Sequence, residues 1–89
     1  MKIVVTIIGQ DKVGIIAMVS NVLAEYSVNI VNIDQSIVED FFNMVMLADM
    51  SQATISLKEL NQMLKDKGIE MGLDIKVQHE DIFNAMHKI

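Results

Sequence analysis

A change of hydrophobic period at Gly9 constrains the fold of this chain more than any other feature. Residues 2–8 are apolar or β-branched apart from Lys2, which is the composition of a strand buried on both faces. Beyond residue 14, apolar side chains recur every three or four positions, as on an amphipathic helix. The stripe consists of Ile16, Val19, Leu23 and Tyr26. The stretch 9–17 is therefore predicted to be a strand-to-helix turn, in which Gly9 ends the strand and Asp11 caps the helix.

This turn is a candidate ligand site. Gly14 falls in the first helical turn, where a missing Cβ lets either a ligand reach the backbone or the helix and strand pack closely. The first N–H groups of a helix have no intrahelical partner and favour an anion such as a carboxylate. Asp11 either accepts a hydrogen bond from a ligand ammonium group or serves only as the helix cap.

Two strands and a tight turn are predicted after the first helix. The stretch 29–39 alternates with a half-polar face, which is typical of a strand near a sheet edge. Val31, Ile33 and Ile37 are expected on one face, and Ile30 on the other with the polar residues. Glu39 and Asp40 form the turn. The stretch 41–50 is apolar on both faces, which favours a central strand.

The second half of the chain predicts a helix, a strand and a short final helix. Thr54 or Ser56 caps the second helix, and Gly68 is expected to end it. Its inward residues are Leu57, Leu60 and Leu64. Leu73, Ile75 and Val77 alternate with polar residues, which indicates a strand with one solvated face. The segment 79–89 is expected to form a short helix that docks on the body or on a neighbour.

The element order βαββαβ, with an extra helix at the end, predicts one α+β domain over residues 1–89. The expected architecture is ferredoxin-like, with a four-stranded antiparallel sheet and two helices on one face. Hydrophobic residues make up 52% of the chain, more than an 89-residue core needs. We therefore expect a homo-oligomer, a dimer or higher, formed through the uncovered sheet face or a sheet edge.

Composition excludes several classes of function. The net charge is −5, and all seven basic residues are Lys, so we expect no nucleic-acid partner. There is no Cys, which fits a cytoplasmic protein. The apolar run that ends at Ile8 is too short to span a membrane and lacks a signal-peptide cleavage site, so we expect no membrane partner.

Catalytic and metal chemistry are poorly supported. No serine lies in a nucleophile motif, and no thiol is present. His79 and His87 are eight residues apart and lack the spacing of a zinc-protease helix. We therefore expect no catalytic residue, no metal site and no cofactor.

Residues 9–17, Gly-Gln-Asp-Lys-Val-Gly-Ile-Ile-Ala, followed by Asn29, resemble an ACT domain. The closest pattern is the G-x-D-[RK]-x-G-[IL]-[VI]-A variant of small stand-alone ACT proteins and of glycine-cleavage repressors. The tail 79–87 is similar to the tail of the stand-alone proteins. The resemblance covers essentially the whole chain.

The resemblance implies a regulatory module that pairs through its sheet and binds an amino acid at the subunit interface. The implied ligand residues are Asp11, Gly14, Ile15 and Asn29. Gly9 stands where serine-binding members carry an imidazole, and Val13 stands where many members carry Pro, so the identity of the ligand is not implied. An alternative is a protein-interaction module that has lost its ligand and docks on an enzyme or regulator.

Overall fold

The structure, a computed structural model, describes residues 1–10 and 14–86. Its elements are β1 Lys2–Gly9, α1 Ile15–Glu25, β2 Asn29–Val38, β3 Phe41–Asp49, α2 Leu57–Glu70, β4 Asp74–His79 and α3 Glu80–Met86. The four strands form one sheet in the order β2-β3-β1-β4, and every neighbouring pair is antiparallel. This arrangement confirms the ferredoxin-like α+β fold and places β3 centrally and β2 at an edge, as predicted.

One face of the sheet makes the hydrophobic core with α1 and α2. The buried residues of the two central strands on this face are Ile3, Val5, Ile7, Phe42, Met44, Met46 and Ala48. The opposite face, which we call the open face, carries the alternate residues of each strand. Val4 on this face is also buried, but Ile8 is 45% exposed. The prediction that β1 is buried on both faces is therefore wrong near its end.

The inward face of α1 differs from the predicted stripe. Ile15, Val19, Val22 and Leu23 are buried. Ile16 is 41% exposed, so its predicted core position is wrong and Ile15 takes its place. Both residues lie three or four positions from Val19, and packing against the sheet selects one of these two apolar neighbours. The N-cap is Gly14 rather than Asp11, which lies outside the described residues.

A β-bulge rearranges the faces of β2. The register with β3 shifts between Ile30 and Asn32, so Ile30 stands opposite Ala48 and Ile33 stands opposite Met46. Both isoleucines pack against the core, while Val31 is 48% exposed. The predicted grouping of Val31 with Ile33, and of Ile30 with the polar face, is wrong because a bulge breaks the two-residue alternation.

Both long helices end in a Schellman motif. In α1, the Ser27 N–H donates to Ala24 at 3.1 Å and the Val28 N–H donates to Leu23 at 2.8 Å. Ser27 adopts the left-handed region with φ of 58°. In α2 the equivalent position is Gly72, with φ of 72°.

Gly68 does not end α2, contrary to prediction, since the helix continues to Glu70 and Gly72 follows its C-cap. Gly68 is buried instead, and a Cβ there would lie 2.9 Å from Ile75 Cγ1. The glycine therefore lets α2 approach β4 closely. At the other end of the helix, Ser56 is the N-cap and forms a capping box with Glu59, which confirms one of the two predicted caps.

The short helix α3 lies over one end of the open face. Gln78 pairs with Val4 across the sheet, and its Nε2 donates to the sulfur of Met86 at 3.2 Å. This contact explains why Val4 is only 5% exposed on a face that α1 and α2 do not cover. The helix has no buried residue of its own, and Ile82 remains 55% exposed.

The two edges of the sheet are protected differently. On β4, the Val77 N–H donates to Asn61 Oδ1 of α2 at 2.9 Å in a partly buried contact. This side chain satisfies a backbone group that would otherwise face an additional strand. The other edge strand, β2, pairs with β3 alone. The sheet is therefore more open to a further strand at β2 than at β4.

Replacing Asn61 with Ala is expected to lower the free energy of unfolding by about 1 kcal/mol, because the Val77 N–H loses its acceptor. Urea denaturation measures the change. Gln62→Ala is the matched control, since the Gln62 amide bonds only to exposed Asp66 one turn away. Equal losses in the two variants would contradict the assigned role of Asn61.

Ser27→Gly is expected to raise the free energy of unfolding by about 0.5–1 kcal/mol, because glycine adopts the left-handed conformation without strain. The reciprocal variant Gly72→Ser should lower it by a similar amount, because serine would be strained at the φ of 72°. An added Cβ there meets no described atom within 4 Å, so no steric clash adds to this strain. Thermal or urea denaturation gives both values. A stabilising Gly72→Ser variant would refute the argument.

Candidate ligand-binding site

Gly14 is the N-cap of α1, and no side chain of the described residues caps this end of the helix. This glycine is exposed, and its carbonyl accepts the first intrahelical hydrogen bond, from the Met18 N–H at 2.9 Å. The N–H groups of residues 15–17 precede that bond and have no acceptor inside the helix. Gly14 has no side chain to serve them, whereas Ser56 and Glu59 cap the start of α2. The start of α1 can therefore accept an anion.

Backbone conformation explains why residue 14 is glycine. Its φ is 82°, which side-chain-bearing residues rarely adopt. A Cβ built there meets no described atom within 4 Å. Close packing of helix on strand, one of the two alternatives for Gly14, is therefore not the reason for the glycine. The open space is compatible with a ligand that approaches the backbone.

The other predicted ligand residues of the turn differ in which groups they present to a ligand. The Ile15 side chain is fully buried in the core, so only its backbone N–H is available to a ligand. Asp11 lies outside the described residues, and its ligand role stays a prediction. The structure thus brings Gly14 and the Ile15 N–H together at the start of α1.

Asn29 lies at the far end of the sheet from this turn. It pairs with Asp49, which in turn pairs with Lys2 at the start of β1. The turn follows Gly9, the last residue of β1, about 23 Å away along a strand of this length. One copy of the chain therefore cannot bring Asn29 and Gly14 to the same small ligand.

Asp49 places a carboxylate at the Asn29 end of the sheet, beside the N-terminal ammonium group, and the sequence analysis missed this pair. The Ser51 N–H donates to Asp49 Oδ1 at 2.9 Å, and the N-terminal ammonium group lies 3.9 Å from the same oxygen. The Ser51 hydrogen bond lowers the pKa of Asp49, with smaller help from the amino terminus and Lys2. The sequence signal for this contact is an Asp two residues before a Ser at a strand end, because an Asp side chain often accepts a hydrogen bond from the backbone N–H two residues on.

A second concave feature lies beyond the end of β1. This open cleft has a volume of about 580 Å³, and among the described residues it shares Gly9 and Gln10 with the predicted turn. Its other described lining residues are Ile8, Phe41, Met71, Gly72, Leu73 and Asp74. Gly9 is buried beneath Leu73, and a Cβ at Gly9 would overlap that side chain. A ligand-binding side chain at position 9 would therefore displace Leu73.

The histidines make no metal site that the structure describes. His79 Nδ1 accepts a hydrogen bond from the Asp81 N–H at 3.0 Å and so helps to start α3. His87 lies outside the described residues. Within 1–10 and 14–86, no three His, Cys, Asp or Glu side chains converge on a point where a metal ion could bind. In the same part of the chain, no helix is long and apolar enough to cross a membrane.

Comparison with known proteins places these features in a family. A family model described as the ACT domain matches residues 1–78. A UPF0237 protein of Clostridium perfringens is 49% identical over the full length of both chains.

Solved structures agree with this match. An ACT domain protein from Streptococcus pneumoniae superposes with a TM-score of 0.81 at 32% identity, covering 98% of each chain. A formyltetrahydrofolate deformylase from Pseudomonas syringae superposes with a TM-score of 0.77 at 22% identity. That match covers 88% of this chain but 27% of the deformylase, and it shows the fold alone.

The lowered pKa of Asp49 predicts a pH-dependent contribution to stability. The ionised form is favoured in the folded protein, so the contribution is present at neutral pH and is lost as pH falls through the folded pKa. Asp49→Asn keeps an acceptor for the Ser51 N–H and removes only the charge. Wild type should exceed the variant in urea midpoint at about pH 7, and the gap should shrink at about pH 2.5. A gap that does not change with pH would argue against this assignment.

Proposed function

We propose that this chain, which belongs to the ACT domain family, is a non-catalytic regulatory module that binds an amino acid between two copies of itself. The observation that carries the proposal is the N-terminus of α1 at Gly14, which no side chain of the described residues caps. The proposed ligand groups are Asp11, the Gly14 and Ile15 backbone, and Asn29 of the second copy. We also propose that the protein is cytoplasmic.

The ligand carboxylate is assigned to the N–H groups at the start of α1. A helix N-terminus favours negative charge, and the left-handed Gly14 leaves its surroundings open. The ammonium group of the ligand then needs an acceptor, which Asp11 or the Asn29 side chain would supply. An amino acid fits because it joins both charges within a few ångströms.

The separation of Gly14 and Asn29 favours a site shared by two copies. A two-fold axis perpendicular to the sheet would pair the β2 strands of two copies as antiparallel neighbours. Such pairing would bring the start of one β2 to the end of the other sheet, where the second copy's Gly14 lies. β2 is free on its outer side, whereas Asn61 occupies the outer side of β4.

The surface beside β2 is suited to such pairing. The exposed residues of α1 are Ile16, Ala17, Asn21, Ala24 and Glu25. Only Glu25, at the last position, is charged. A largely uncharged helix face next to an open strand edge can be buried at low desolvation cost.

A ligand held between two copies links its binding to association. A ligand that binds only the dimer stabilises it, and the dimer in turn raises ligand affinity by the same factor. This linkage gives a module without a catalytic centre a way to respond to metabolite concentration. The response reaches another protein only if that protein recognises one association state.

Gly14→Leu is expected to abolish amino-acid binding while leaving a folded dimer, because the side chain blocks approach to the N–H groups of α1. The measurement is a thermal-shift screen of the standard amino acids, followed by light scattering on each hit. A ligand at about 100 times its Kd should add about 2.7 kcal/mol of stability, which shifts Tm visibly in a domain of this size.

Gly72→Leu is the matched control, because Gly72 also has positive φ and open space around its Cβ position. Both variants carry similar backbone strain, so loss of binding in Gly14→Leu alone isolates the site. Normal binding by Gly14→Leu would refute the proposed site. A wild-type dimer that responds to no amino acid would favour the alternative, a module that docks on another protein.

A further inference from the structure

The cleft beyond the end of β1 has apolar walls that the fold leaves partly open to solvent. Ile8 and Phe41 are each 45% exposed, and Met71 is 41% exposed. They come from three separate segments, namely the end of β1, the start of β3 and the loop after α2. Leu73 and Gly9 form the floor, where their mutual packing closes the space. A concave site with apolar walls suits a compact apolar group.

The charges around this cleft favour a cation. Asp74 is exposed and is the only charged residue among the described residues that line the cleft. The loop 71–72 carries the C-terminal end of α2, a 14-residue helix whose dipole is negative at this end. Lys76 is on the same face of β4, two residues further along the strand. The charge among the described lining residues is therefore that of the Asp74 carboxylate, and the end of α2 adds partial negative charge.

We propose that this cleft binds an organic cation, a primary ammonium group on a compact apolar body. The ammonium group pairs with Asp74, and the apolar body lies against Ile8, Phe41 and Met71. The cleft favours a cation whereas the start of α1 favours an anion, so the inference does not depend on the proposed amino-acid site. The chain then carries two sites of opposite charge preference at the same end of the sheet.

The test uses the wild-type protein and three probes of similar size, titrated by two-dimensional amide NMR. The cationic probe is 2-phenylethylamine, the neutral probe is 2-phenylethanol, and the anionic probe is 3-phenylpropionate. The amine should shift the amide signals of Ile8, Phe41, Gly72 and Asp74, and should bind more tightly than either other probe. Because the amine has no carboxylate, failure of the amino-acid site would leave this result unchanged.

Variants test the roles of the Asp74 carboxylate and of the apolar wall at Met71. Asp74→Asn should weaken amine binding by about 3-fold or more, as expected for a partly exposed ion pair. Asp34→Asn is the control, because Asp34 is exposed on β2, two strands away from β1, and should leave the affinity unchanged. Met71→Gln, which nearly keeps the side-chain size, should weaken the amine and the alcohol alike.

Four results would overturn the inference. The first is an amine that does not bind at millimolar concentration. The second is an alcohol that binds as tightly as the amine, and the third is an Asp74→Asn variant that matches Asp34→Asn. Shifts confined to the start of α1 would count against it as well, since they would assign the amine to the other site.

Discussion

Burial of one sheet face beneath two helices is the interaction on which the rest of this structure depends. β1 and β3 lie side by side at the centre, and their alternate side chains fill the space under α1 and α2. Each buried aliphatic side chain contributes about 1.5–3 kcal/mol relative to exposure, so this layer outweighs any single polar contact in the molecule. The apolar faces of the helices hold them on the sheet, so the ends of the helices need not contribute to this packing.

The two long helices, α1 and α2, begin and end differently. α2 begins with a capping box and ends in a Schellman motif that places Gly72 just beyond its C-cap, so local hydrogen bonds complete both of its termini. α1 begins at a glycine without a side-chain cap and ends at a serine in a left-handed conformation. Glycine at position 27 would relieve the left-handed conformation there, whereas the φ of 82° at position 14 already favours glycine over a capping side chain. The start of α1, which has no side-chain cap among the described residues, is the place where the proposed function puts the ligand carboxylate.

The edges and faces of the sheet give the protein distinct surfaces for association. Asn61 covers part of the β4 edge, α3 covers part of the open face, and β2 presents its outer side with a bulge near its start. β1 and β2 run parallel with β3 between them, so Asn29 at the start of β2 and Gly14 beyond the end of β1 lie at opposite ends of one copy.

Local patterns in the sequence determined the element order, the edge position of β2 and the inward alternation of Leu73, Ile75 and Val77, and they narrowed the cap of α2 to Thr54 or Ser56. These features follow from side-chain period and capping chemistry, which act within a few residues. Only the tertiary structure decided that Ile15 rather than Ile16 enters the core, that a bulge turns Ile30 inward, and that Gly68 packs against Ile75. The cleft and the Asn61 contact likewise join residues far apart in the chain. Their geometry depends on how the helices and the sheet pack against one another, and a pattern within a few residues does not encode this packing.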